Sequence, residues 1–148
     1  MKRRSFIKGG MAASVAAVAA GAGLLTPATV LAAWPKEQFE AKSVDAAVGA
    51  FEHSDDIKIK APDIAENGAV VPVSVMSGIA GATSISILAA NNPSPMTCKF
   101  DLGEGAIADV STRIKMGKTS DVIAVVSAGG KQYANKKEVK VTIGGCGG

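Results

Sequence analysis

The chain has 148 residues, with 16 lysines and arginines against 13 aspartates and glutamates, one histidine, two cysteines and only 4% aromatic side chains. One histidine and two cysteines, without a CxxC, a CxxCH or a pair of histidines four apart, leave no convincing haem or metal site. The formal charge of +3 does not argue for nucleic acid either, because Lys2, Arg3, Arg4 and Lys8 lie at the extreme N-terminus, and without them twelve basic residues face thirteen acidic ones.

Those four residues open the first predicted segment. Arg3-Arg4 followed by Ser5-Phe6-Ile7-Lys8 and an alanine-rich apolar run from Met11 to Leu25 reads as a twin-arginine export signal. Gly21, Gly23 and Pro27 interrupt the run, which argues against a membrane anchor. Small or tolerated residues at Val30-Leu31-Ala32 place the cut near Ala33, so residues 1–32 are expected to leave and 33–143 to form one domain. The twin-arginine route carries folded cargo, and with no cofactor expected, export together with an assembled partner is a reason for using it.

Pro35, with Glu37 and Glu40 behind it, predicts a helix start. Phe39, Val44, Ala47, Val48 and Phe51 recur near helical spacing, so Pro35 to Glu52 reads as one amphipathic helix. From residue 57 the period becomes two. Ile57 and Ile59 mark a first strand; Val71, Val73 and Val75 mark a second, with Pro72 suggesting an edge or a bulge. Thr83 to Ala89 is a third. Met96, Cys98, Phe100 and Leu102 alternate as a fourth, sharing one buried face. Ile107 to Met116, Val122 to Ala128 and Lys137 to Ile143 supply three more, with turns at Gly103 to Gly105, Gly117 to Ser120 and Gly129-Gly130. One helix and about seven short strands predict an antiparallel β-sandwich of immunoglobulin-like type, with a small barrel as the alternative.

The last strand runs into Gly144-Gly145-Cys146-Gly147-Gly148. Glycine lacks a Cβ, so Gly144 and Gly145 form a swivel while Gly147 and Gly148 leave the sulfur bare. Five residues at about 3.3 to 3.6 Å each let such an arm project roughly 17 Å. No basic or histidine neighbour stands beside Cys146 in sequence. A thiol without base, oxyanion donors or orienting group is a poor catalyst and a good handle for enzymes that bring those groups. The residues therefore suggest a covalent carrier and not an enzyme.

The ending VKVTIGGCGG (Val139 to Gly148), with IAENGAVVPVSV (Ile64 to Val75) and RIKMGKTSDVIAVV (Arg113 to Val126), closely resembles the SoxY family, the sulfur carriers of the periplasmic thiosulfate-oxidising system. The resemblance implies that Cys146 is conjugated to thiosulfate by the c-type cytochrome SoxAX, that the manganese enzyme SoxB releases sulfate, and that SoxCD oxidises the remaining sulfane where present. It also implies a stable complex with SoxZ, a small β-sandwich protein that lacks the swinging cysteine, and periplasmic location.

Other functions compete. A Cys98–Cys146 disulfide would make the chain a structural or binding domain. The terminal Gly147-Gly148 is similar to ubiquitin-like sulfur carriers, which work in the cytoplasm and do not fit Arg3-Arg4. A blue-copper site needs two histidines beside the cysteine, and only His53 exists. His53 with Asp55 and Asp56 reads as a solvated helix end, and Lys136, Lys137 and Lys140 as the wet face of a strand.

Overall fold

The structure, a computed structural model, describes residues 34–142. The expected signal, residues 1–32 with Arg3 and Arg4, and the arm formed by Gly144, Gly145, Cys146, Gly147 and Gly148 lie outside the described residues. The chain divides into two units, residues 1–35 and 36–148, and the second contains every element named below.

Two short helices, α1 (Lys36–Glu40) and α2 (Val44–Val48), precede the strands β1 (Glu52–His53), β2 (Ile57–Lys60), β3 (Ile64–Ala65), β4 (Val71–Ser77), β5 (Ala82–Ala89), β6 (Met96–Asp101), β7 (Asp109–Ile114), β8 (Ser120–Ala128) and β9 (Lys131–Val141). One sheet runs β1-β9-β8-β5-β6, with β3 joining β9, and the other runs β2-β4-β7. All pairings are antiparallel except the two-residue strands β1 and β3, which lie parallel to β9. The fold is the expected β-sandwich.

Between the sheets, Ile57, Val71, Val73, Val75, Ile114 and Met116 meet Ile85, Ile87, Val122, Ala124, Val126 and Val139. The alternate residues of the larger sheet face outward and are covered as well, since Leu88, Met96, Ile123, Val125 and Ala134 pack beneath Ala47 and Val48 of α2 and Phe39 of α1. That double burial explains the unbroken apolar runs of β5 and β8, because a strand covered on both faces has no reason to alternate.

The helical segment differs from the single helix expected. Ser43 sits in extended backbone and its hydroxyl accepts the Ala46 amide, so it ends one element and caps the next; Gly49 closes α2. Phe51 consequently leaves the helical face and is partly exposed.

Pro72 is not on an edge strand, since β4 lies between β2 and β7. The β2 pairing stops at Ser74, however, so at Pro72 one flank of β4 has no neighbour in the sheet and a missing N–H is tolerated there. The hairpin between β8 and β9 turns on Gly129 (φ 59°) and Gly130 (φ 77°), left-handed at both positions, which fixes Ala128 opposite Lys131. The last strand therefore begins at Lys131, six residues earlier than the apolar alternation indicates.

Candidate functional site

The chain reaches its C-terminal segment through the end of β9, and the fold determines where that end points. Ser120, the first residue of β8, pairs with Val139, so Lys140 and Val141 extend past their main neighbour. On the opposite flank β3 supports them: Lys140 donates its amide to the Asp63 carbonyl at 3.0 Å and Thr142 donates to the Ala65 carbonyl at 3.1 Å. On the β8 flank the amide of Val141 donates to the Thr119 hydroxyl at 2.9 Å.

Three loops converge on this point. The Asn91 side chain donates to the Thr119 carbonyl at 2.9 Å while its backbone amide donates to the Ser120 hydroxyl at 3.0 Å. Asn92 bridges the β7–β8 loop, donating to the Lys115 carbonyl at 2.7 Å and accepting from the Gly117 amide at 3.0 Å. The Met116 amide donates to the Gly68 carbonyl at 2.7 Å. Gly68 lies so close that a Cβ there would collide with the Met116 carbonyl oxygen and come within 2.8 Å of Val141 Cγ1. Two of the segments that carry the family resemblance, around Gly68 and around Thr119, thus meet at the base of the third.

Gly68→Ala is expected to destabilise the domain by about 1 to 3 kcal/mol, because the atom in the way is backbone and cannot swing aside. Chemical denaturation checks this; a variant as stable as the parent would show that the β9 end has slack.

Cys98 is a free thiol. It does not share a face with Met96, as simple alternation suggests. The β5–β6 register shifts between Ile87 paired with Cys98 and Leu88 paired with Met96, which leaves Thr97 as an extra residue. Thr97 donates its hydroxyl proton to the Ile87 carbonyl at 2.6 Å, and its Oγ1 lies 3.8 Å from Cys98 Sγ. Met96 therefore belongs to the layer under the helices, while Cys98 and Phe100 pack half-buried against the inter-sheet core. Burial pushes the Cys98 thiol above its ordinary pKa, with hydrogen bonds from Thr97 and the Ile87 backbone pulling weakly the other way. Burial thus disfavours its thiolate, the reactive form.

The remaining candidates are structural. His53 lies on exposed β1 and contacts Asp55 at 3.2 Å. Among the described residues no group of three or more His, Cys, Asp or Glu side chains could hold a metal ion, and no helix is long and apolar enough to cross a membrane. Lys136 pairs with Asp121 at 3.1 Å on the surface, as a wet face would. Lys137 does not belong to that face. Its neighbours at the same parity, Val139 and Val141, line the inter-sheet core, and its ammonium closes the sandwich margin on the Ala61 carbonyl at 2.7 Å and on Asp63 at 3.0 Å.

These features define a class: a small β-sandwich protein whose last strand is held on three sides immediately before a glycine-flanked terminal cysteine. A family profile described as "sulfur oxidation protein SoxY" matches residues 42–146, a span that ends on Cys146. Among solved structures, the sulfur carrier protein SoxY from Chlorobium limicola f thiosulfatophilum is 49% identical, with a TM-score of 0.59 over 68% of this chain and 93% of that one. A chain from a structure of T cell specificity and activation by the bacterial superantigen toxic shock syndrome toxin-1 and the human F-spondin reeler domain match at 9% and 11% identity with TM-scores of 0.42 and 0.34, too distant to inform function. No curated protein sequence matches. The chain belongs to the SoxY family.

Proposed function

We propose that this protein is a covalent carrier of sulfur-oxidation intermediates, which holds thiosulfate-derived sulfur on Cys146 and presents it to successive periplasmic enzymes. The observation that carries the reading is family membership over a span that includes the terminal cysteine, together with a 49% identical relative that is itself a sulfur carrier protein. The anchored end of β9 supports it, since a handle needs a fixed mount. So does Cys98, a free thiol that burial makes a weak competitor.

Loading joins Cys146 Sγ to the sulfane sulfur of thiosulfate. The thiol loses its proton, and two electrons pass to the oxidising partner, a SoxAX-type cytochrome. Water then attacks the terminal sulfone sulfur in a SoxB-type enzyme, releasing sulfate and leaving one sulfane sulfur on Cys146 for a SoxCD-type dehydrogenase. The carrier provides no acid, base or metal for these steps; it provides the sulfur atom and its delivery. In this reading residues 1–32, with Arg3 and Arg4, direct folded export and are removed. The domain of residues 33–143 stays in complex with a SoxZ partner, and Gly144, Gly145, Gly147 and Gly148 keep the arm narrow and pliable.

The test is the mass of the C-terminal peptide from protein purified out of the native periplasm. The expected result is a set of increments on Cys146 matching thiosulfonate and sulfane sulfur. A uniform Cys98–Cys146 cross-link, or an unmodified Cys146 that the cytochrome partner and thiosulfate cannot load, would overturn the proposal.

A further inference from the structure

Resting on the carrier reading, we propose that Thr119 and β3 form a collar that fixes the pivot of the Cys146 arm at Thr142, making Thr119 a positioning residue for delivery of the thiol. Successive amides of a strand point to opposite flanks. Lys140 and Thr142 point to β3 and find the Asp63 and Ala65 carbonyls. Val141 points to the β8 flank, where β8 itself begins only at Ser120, opposite Val139. The Thr119 hydroxyl occupies the place where the next ladder acceptor would stand. Without it, the strand has a partner on one flank only from Lys140 onward, and strand ends paired on one side fray.

Thr119 is itself held in place. Asn91 grips its carbonyl and the neighbouring Ser120 hydroxyl, and Asn92 ties down Lys115 and Gly117 on the same loop. Behind Val141, Gly68 leaves no free space. The common effect of these bonds is to extend the held part of β9 by three residues, from Val139 to Thr142.

The consequence is a shorter tether. With the pivot at Thr142, the four residues 143–146 reach at most about 14 Å. Frayed back to Val139, seven residues reach at most about 24 Å. The local concentration of the sulfur near the collar then falls roughly two- to fivefold, according to whether it scales with the power of chain length or with the volume swept. An enzyme that docks at this pole of the sandwich meets the thiol at a distance the collar has set.

The experiment uses the mature full-length chain with Thr119→Val, which keeps the side-chain shape and removes the acceptor, and Thr119→Ser, which restores it. In Thr119→Val the Val141 amide should exchange about tenfold faster, with the thermal midpoint and the exchange of β5 and β8 unchanged; Thr119→Ser should return it to the parent rate. A nitroxide on Cys146, in a Cys98→Ser background, should broaden amides further from the collar in Thr119→Val than in the parent. Partner-catalysed loading should fall in kcat/KM through KM, with about two- to fivefold as the limit reached only where the β3-side bonds of Lys140 and Thr142 open as well, while alkylation of Cys146 by iodoacetamide keeps its rate. Unchanged Val141 exchange and broadening would overturn the collar, as would a global rise in exchange, which would make Thr119 a structural residue. A loosened collar with unaltered loading would overturn the delivery role. If the parent chain itself never loads thiosulfate, the carrier reading falls, and the exchange and broadening data still decide the collar.

Discussion

Replacing Cys146 with serine is expected to abolish loading of thiosulfate-derived sulfur while leaving the fold intact. A serine hydroxyl does not ionise near neutral pH and cannot form a sulfur–sulfur bond, so the loss should be complete and not partial. Cys98 does not rescue it. Its sulfur is half-buried against the inter-sheet core and burial raises its pKa, so both its access and its thiolate fraction are low. Stability should not change, because the two sheets and both apolar layers are complete within the elements that end at Val141. Intact-mass measurement after incubation with thiosulfate and the cytochrome partner checks the first point, and thermal denaturation the second. An adduct on Cys146→Ser would remove the carrier assignment. The companion variant Cys98→Ser should load like the parent.

The parts of this fold legible in the sequence are those set by apolar alternation and glycine turns. Val71, Val73 and Val75 are all buried on one face of β4, as their spacing predicts, and six of the seven longer strands, all but β9, fall close to the expected segments. What escaped is what alternation cannot encode. β1 and β3 are two residues long and pair in parallel with β9, so neither has a period to read. In the first half of β9, Lys131 to Lys136, Ala134 alone is fully buried and Tyr133 packs only partly against the inter-sheet core, so no apolar period can be read; the two-residue Gly129-Gly130 turn was the signal that could have extended the strand. The bulge at Thr97 reverses the facing of everything before it, which is why Met96 and Cys98 separate. Ser43 and Gly49 did carry cap and stop signals that divide the helical segment.

The candidate site shows the same division. The proposed handle, Cys146 with its glycines, is a motif visible in the order of residues 144–148, which lie outside the described residues. The mount is not visible in that way, since Asn67-Gly68 and Asn91-Asn92 look like ordinary turn residues. Their role lies in bonds that cross the chain: Asn91 to Thr119, separated by 28 residues, and Asn92 to Lys115, separated by 23. A turn asparagine that caps its own loop and one that braces a distant loop have the same local sequence.

Two adjacent core residues should respond very differently to truncation, and the difference links the core to the arm. Ile87 and Leu88 are both fully buried, but Ile87 faces the layer between the sheets and Leu88 the layer beneath the helices. Ile87→Ala is expected to cost about 3 to 5 kcal/mol, since two sheets fixed by their ladders cannot close on the cavity. Leu88→Ala should cost nearer about 2 kcal/mol, because α1 and α2 are five residues each, too short to stand without packing, and can settle onto the vacated space. Urea denaturation reads both as midpoint shifts at constant slope, and equal shifts would show that the helical layer is as unyielding as the sheets. The apolar cluster that contains Ile87 also contains Ala65, Met116 and Val139, and Val141 at the end of β9 packs against it. Ile87→Ala should therefore speed amide exchange at Val141 and Thr142 as well as in the strands, whereas Leu88→Ala should speed it in Val44–Val48 and leave the base of the arm, and its loading, as they are.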